Sequence, residues 1–600
     1  MFANLIMLST VLSMNGHLPP LMPWQGKSLQ LMQSSGPLTT DFELSGGEAS
    51  PIYEDTMKFV DRLIAANPTQ FSSLIIGESF GGRAIKMIVA SENGQFSANM
   101  IKSNGKPTIL IQAGIHSGEI DGKDAGFMLL RDIATGKRRD LLTKVNILFI
   151  PILNVDGHER RSEFNRINQR GPIEMGFRTN GNNLNLNRDY TKLDTPEVKG
   201  VLNVINEFEP DLYVDVHVTD GADYQYDVTY GYTPAFASES PQIATVLAEK
   251  FQPHIDKVLA DSEHIPGPLV FVMDKREFKS GLAGWIAGPR FSNGWGDLAN
   301  VPTILVENHS LKPYKQRVLG TYVFLDGAID ALSIHGKALE SAVKNEHKTP
   351  KRLVLNRKYA TEPDFINFKG IKYKRFNSAL SGQQEVKYLG EPEYYEKLPI
   401  FWKKEVVSEV DVPDAFYIPQ SYSFITDKLS IHGINVEKVT STELVSDLNL
   451  ATVKNYSFDK TPFEGRFRVT AEFGYDVIEA KDLRGWYKVS THQARGKLAT
   501  HLLHPEAPDS FFSWGSFHTI FQRTEYVENY ALVPYARSML KDNPKLALEF
   551  DKKLREDKNF ESDPKARLNW LYSKTPYYDQ GYLKYPILMQ YKPKQQEVEK

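Results

Sequence analysis

There is no cysteine in this sequence, and that one absence removes disulfides, thiolate metal sites and cysteine nucleophiles together. Any metal ion must then be held by His, Asp and Glu. The lack suits an oxidising compartment without requiring one. Charge of one sign is also missing: 71 Lys and Arg against 74 Asp and Glu leave a formal net charge of −3. With no dominant basic run, nothing points to a nucleic-acid partner. Long hydrophobic runs are scarce as well. The apolar start MFANLIMLSTVLSM is shorter than the roughly 20 residues of a spanning helix, and no later segment could span a membrane. It reads as a leader of signal-peptide type within residues 1–40, although no Lys or Arg precedes it and no A-x-A-like site follows. The alternative is a frayed start. The leader reading expects a periplasmic or secreted protein; the alternative leaves a cytoplasmic one.

What is present is regular. At 600 residues the chain is too long for one ordinary core, so an enzyme-sized domain plus further units is expected. From residue 50 a helix runs through Met57, Val60, Leu63 and Ile64 until Asn67-Pro68. SLIIGES and AIKMIVAS flank Gly81-Gly82 as a hairpin. PTILIQAGI, VNILFIPILN, DLYVDVHV and TILVEN are apolar strands of the buried type, separated by helices over about 119–135 and VKGVLNVINEF. A last helix ends near Leu332. The expected fold is α/β, with a mixed, mainly parallel sheet flanked by helices over 45–340. Beyond 345 the texture turns to Lys-rich linker, scattered Pro and Tyr, and β-type runs such as FRVTAEFGYDVIEA. Residues 345–600 are therefore expected to form a smaller β-rich region with helices such as PKLALEFDKKL. No internal repeat and no low-complexity tract occurs, only the charged tail KPKQQEVEK.

The chemistry sits at strand ends, where α/β sheets bind ligands. His116 and Glu119 follow PTILIQAGI, so both can converge beyond the sheet edge. An H-x-x-E pair alone is common by chance. His217, near the end of DLYVDVHV, is the second buried strand-end histidine; a carbonyl or a metal would satisfy it. Two His and one Glu make the set of a catalytic zinc with its fourth position open. Glu307 ends VPTILVEN after five uncharged residues. It either pairs with an Arg or serves as the general base that hydrolysis requires. In GFRTNGNNLNLNRDY, Asn187-Arg188 is a planar fork beside a neutral donor, suited to a free carboxylate; the alternative is an Asn-rich surface loop.

The ordered run from GESFGGRAI through GIHSGE, NVDGHER, NLNRD and DVHV to ILVEN resembles the zinc metallocarboxypeptidase family of carboxypeptidases A and B, over residues 50–335. The resemblance implies one zinc per chain on His116, Glu119 and His217. It also implies exopeptidase action on peptides with a free C-terminal carboxylate, held by Asn187 and Arg188. Arg178 would polarise the scissile carbonyl, with Arg170 the fallback. In the family the terminal side chain is read roughly fifteen positions before the catalytic Glu, near Ser292; Arg290 is close by, and an Arg in that pocket would favour acidic ends. Three departures stand out. Asn185 replaces the usual Asp that orients the first zinc His, no Tyr occurs between Tyr232 and Tyr314, and Glu119 and His217 are closer in sequence than is usual.

His309, two residues after Glu307, reads as an ordinary polar contact, the alternative being a supporting role beside Glu307. His158, His501 and His504 read as structural or surface residues, and Asp220 and Asp223 as turn formers, the alternative being that they line the site. Two rival functions remain: a deacylase or amidase acting on N-acyl amino acids or cell-wall peptides with the same zinc set, and a catalytically inactive peptide-binding protein.

Overall fold

The computed structural model describes residues 16–591 except 34 and 220. The apolar start of the leader and Asp220 lie outside the described residues. No helix among the described residues is long and apolar enough to cross a membrane.

An eight-stranded mixed sheet forms the centre. In chain order it comprises β1 (Phe71–Glu78), β2 (Ala84–Ala90), β3 (Thr108–Ala113), β4 (Asn146–Ile150), β5 (Leu212–Thr219), β6 (Val228–Gly231) and β7 (Pro266–Pro268). Two short strands, β8 (Val270–Val272) and β9 (Leu282–Gly284), belong to another sheet, and β10 (Thr303–His309) completes the first. The spatial order is β1-β2-β4-β3-β5-β10-β6-β7. β4, β3, β5 and β10 are mutually parallel, while β1, β2 and β6 pair antiparallel to their inner neighbours. β3, β4 and β5 are buried throughout, which explains their unbroken apolar sequences.

Helices cover the sheet. Asp121–Ala134 lies flush on it because Gly122 and Gly126 have no Cβ. A Cβ at Gly122 would stand 2.8 Å from Val216 Cβ, and one at Gly126 would collide with the Phe149 ring. The start of this helix is locked by Asp121, paired with Arg317 through Nε (2.9 Å) and Nη2 (3.2 Å). Arg317 lies on Tyr314–Glu346, a helix of 33 residues. That helix does not stop near Leu332 as its pattern suggests. Its last turns stay on the protein, burying Leu339 and Ala342, and the Glu346 carboxylate accepts from the Gln242 backbone N–H.

The C-terminal region is β-rich. Asp364–Asn377 and Gln384–Phe401 form a long hairpin that joins β9 and β8. A six-stranded sheet is built around Ala415–Ile418, Leu448–Phe458 and Val469–Ile478. The helices Asn529–Asp542 and Pro544–Glu556 follow. One apolar cluster runs through both regions, with Leu202 and Trp295 in the same core as Phe416, Leu498 and Phe511. Polar ties cross the seam too: Trp295 Nε1 donates to His432 Nδ1 (3.1 Å), and Trp514 Nε1 donates to Thr191 Oγ1 (3.0 Å).

Candidate functional site

The carboxyl ends of β3, β5 and β10 converge on one point. Beyond β3 the chain turns at Gly114 (φ 67°), whose missing Cβ would lie 3.0 Å from Ile120 Cδ1. Glu119 N–H donates back to the His116 carbonyl (2.8 Å), a turn that sets the two side chains together. His217 comes from β5. Among the described residues, His116, Glu119 and His217 offer ligand atoms that all lie within 4.8 Å of one another, and all three side chains are buried.

Orientation within this cluster is fixed from outside. His116 Nε2 meets Asn185 Oδ1 at 2.9 Å, and His217 Nε2 meets Asp215 Oδ2 at 3.0 Å. Both rings therefore turn Nδ1 inward, 3.2 Å and 2.9 Å from Glu119 Oε2. The other oxygen, Oε1, accepts from Arg166 (2.9 Å) and Arg178 (3.0 Å). Asp215 is itself tied down by Gln112 Nε2 (2.8 Å) and the Ser292 hydroxyl. A donor set of two imidazole nitrogens and one carboxylate oxygen, each imidazole locked through its other nitrogen, fits a zinc ion.

The charges are arranged to match. Burial pulls His116 down to about 4, overriding the Glu119 charge. Burial opposes charge on His217 too, but Asp215 and Glu119 outweigh it and hold that ring well above its ordinary value. For Glu119 the burial cost is outweighed by His116 and Arg166, which keep its carboxyl well below the usual range.

β10 pairs with β5 in parallel register, with Glu307 opposite His217. Register partners in a sheet share a face, so Glu307 stands beside the cluster as its place at the strand end suggests. Burial pushes it up to about 8, with His217 opposing and Glu119 reinforcing. Asn187 packs against the outward edge of the His217 ring. Its Oδ1 accepts from Ser292 N–H (2.9 Å) and its Nδ2 lies 3.4 Å from His217 Nε2. Arg188 lies over the Phe291 ring at 4.0 Å and donates Nη1 to the Asn187 carbonyl (2.7 Å).

Other expected residues fall elsewhere. Arg290 pairs through Nε with the buried Asp509 (2.8 Å) and lies over Phe463 and Trp514. Its charge is spent on Asp509, so an acidic terminal side chain would have to displace that partner. Arg170 donates to the Pro19 carbonyl and makes no contact with the cluster. His309 does share the Glu307 face, but it pairs with Asp223 (3.0 Å) and stacks on Tyr224. That contact gives Asp223 a partner beyond a turn. His158 meets Lys123 (3.1 Å) and Glu159 (2.6 Å), and His501 and His504 are buried in the C-terminal region. Asp215 and Arg166 complete the cluster without having been expected. For Asp215 a signal exists, since it stands two residues before His217 and so on the same strand face. For Arg166 there is none, because only the fold brings it to Glu119.

Residues 56–267 match the family described as zinc carboxypeptidase. Curated relatives include carboxypeptidase 2 of Trichophyton tonsurans and of Trichophyton equinum. Each is 22% identical over 510 residues, spanning 82% of this chain and 88% of the relative. Similar solved structures include carboxypeptidase A from Helicoverpa armigera, at 17% identity and TM-score 0.37 over 52% of this chain and 80% of that one. A metallo-carboxypeptidase from Burkholderia cenocepacia is likewise 17% identical, with TM-score 0.34 over 48% of this chain and 69% of that one.

Proposed function

We propose that this site, within residues 56–267 that match the family described as zinc carboxypeptidase, hydrolyses the C-terminal peptide bond of peptides bearing a free terminal carboxylate. The observation that carries this reading is the inward convergence of His116 Nδ1, Glu119 Oε2 and His217 Nδ1, with Glu307 in register beside it. His116, Glu119 and His217 would hold a zinc ion, which would supply Lewis acidity for polarising a carbonyl and lowering the pKa of water toward about 7.

The chain's own residues do the rest. Asn185 and Asp215 fix the two imidazole tautomers. Asn187 and Arg188 bind the terminal carboxylate, Arg188 being held over Phe291 with its Nη1 on the Asn187 carbonyl. Arg178, half-exposed, turns its guanidinium to the scissile carbonyl, while Arg166 retains Glu119 Oε1. Glu307 takes a proton from the attacking water on its carboxylate and delivers it to the leaving amine nitrogen.

The carboxylate clamp is tested by Arg188→Ala. Against matched peptides with free and amidated C-termini, the variant is expected to lose roughly 10–100-fold in kcat/KM on the free acid, the cost of about 1.5–3 kcal/mol for a charge-assisted bond. The loss should fall mainly on KM, and the already low rate on the amide should barely move. Equal losses on both substrates would remove Arg188 from the clamp.

A further inference from the structure

The tip of a hairpin from the C-terminal region lies on the segment that carries Asn185, Asn187 and Arg188. Its strands are Leu448–Phe458 and Val469–Ile478. Between them Phe463 and Arg466 exchange backbone hydrogen bonds (2.9 and 3.0 Å) across Glu464 (φ 49°) and Gly465 (φ 75°). A glutamate with positive φ is uncommon, and here it is held from both sides. Arg466 grips Asp194 with Nε (2.9 Å) and Nη2 (2.7 Å), and Lys428 joins the same carboxylate (3.1 Å). Phe463 stacks on Trp514, with ring centroids 6.0 Å apart and planes at 12°.

So anchored, Glu464 Oε2 accepts the backbone N–H of Asn185 at 2.8 Å, a contact between residues 279 apart in sequence. Asn185 passes this on. Its Oδ1 accepts from His116 Nε2 (2.9 Å) and from Asn187 N–H (3.1 Å). Two short steps thus link a carboxylate of the C-terminal region to one proposed zinc ligand and to the carboxylate clamp. The two histidines are supported unequally. His217 leans on a full negative charge at Asp215, whereas His116 leans on a neutral amide. A carboxylate bonded to the peptide N–H of that same asparagine supplies charge one step further out, and hydrogen bonds in such a chain polarise one another.

We propose that Glu464 is a positioning residue of the active site, fixing Asn185 so that its amide oxygen faces both His116 and Asn187, and that the hairpin 459–468 is therefore part of the catalytic apparatus. This rests on the function proposed above.

The test uses the full chain with Glu464→Ala, Glu464→Gln, Asn185→Ala and the Glu464→Ala/Asn185→Ala double variant, reading the zinc Kd by competition with a chromogenic chelator alongside KM and kcat. Outer partners of metal ligands are typically worth 10–100-fold in affinity, and Glu464 acts one bond further out, so Glu464→Ala is expected to weaken zinc by roughly 3–10-fold. KM for free-carboxylate peptides should rise more than kcat falls. Glu464→Gln keeps an acceptor for the Asn185 N–H and should recover most of both losses. It also carries the test if the alanine variant fails to fold, since a Gln variant with zinc Kd and KM as poor as those of Asn185→Ala would contradict positioning through that acceptor. In the Asn185→Ala background Glu464→Ala should change the zinc Kd by less than about twofold, because coupled residues are non-additive. Wild-type zinc affinity and KM in Glu464→Ala, or full additivity with Asn185→Ala, overturns the proposal. A wild-type chain that binds no zinc overturns instead the function on which it rests.

Discussion

Glu307→Gln is expected to retain zinc and lose roughly 10³–10⁴-fold in kcat, the upper part of the range for a positioned general base. The side chain keeps its length and its hydrogen-bonding reach but no longer accepts a proton. Among the described residues the Glu307 carboxyl has no protein hydrogen-bond partner, the contact at this position being Thr229 Oγ1 to the backbone carbonyl. The substitution therefore breaks no network and should leave the fold intact. KM should change little, because Asn187 and Arg188 hold the carboxylate without Glu307. Burial raises this carboxyl to about 8, and a dication in the neighbouring cluster pulls it back down. A base must be deprotonated to act, so wild-type kcat/KM should rise with pH through that lowered value. The residual activity of the variant should lack this acidic limb. Near-normal turnover with zinc bound would make Glu307 a structural carboxylate and refute the mechanism.

His217→Ala has the other large effect. Zinc content, measured by plasma mass spectrometry, should fall from about one per chain to near zero, since a catalytic site keeps only three protein ligands. Activity should go with it. The metal-free fold should suffer as well. His217 and Asp215 form a buried pair at 3.0 Å, and removing one partner of such a pair costs about 3–5 kcal/mol because the other is left buried and unpaired. A lowered midpoint in chelator-treated samples, compared with chelator-treated wild type, reads this separately from metal loss. His309→Ala is the control. It pairs with Asp223 outside the cluster, so its zinc content should match wild type. Full zinc in His217→Ala would place the metal elsewhere.

Much of this site is readable before any folding is considered, because it lies where apolar strands run out. His116, His217 and Glu307 each interrupt an apolar run at its carboxyl end, and parallel pairing then puts those ends side by side. The same reasoning passes over Asp215. The valines around His217 advertise a buried strand, and attention to them hides the acid that shares the histidine's face through the period of two. Arg166, Arg290 and Glu464 are illegible for a different reason. Their partners, Glu119, Asp509 and Asn185, are chosen by tertiary contact and leave no trace in local spacing. The same holds for the seam between the two regions, where Trp295 and Phe416 belong to one core although the change of texture after residue 345 suggests separate units. The long helix Tyr314–Glu346 fails locally too. Its pattern weakens after Leu332 because only part of its surface stays against the protein, yet contacts at Leu339, Ala342 and Glu346 carry it on.

The central claim, a zinc enzyme that removes C-terminal residues, is tested most directly by digesting a peptide library and reading the products by mass. Each peptide should be present as free acid and as amide, with N-acyl amino acids alongside, before and after chelation and after zinc is restored. The account predicts ladders that shorten one residue at a time from free C-termini, little or no cleavage of the amides, and activity that disappears with chelator and returns with zinc. Internal cleavage, equal attack on the amides, turnover of N-acyl amino acids alone, or activity unchanged by chelation would contradict it.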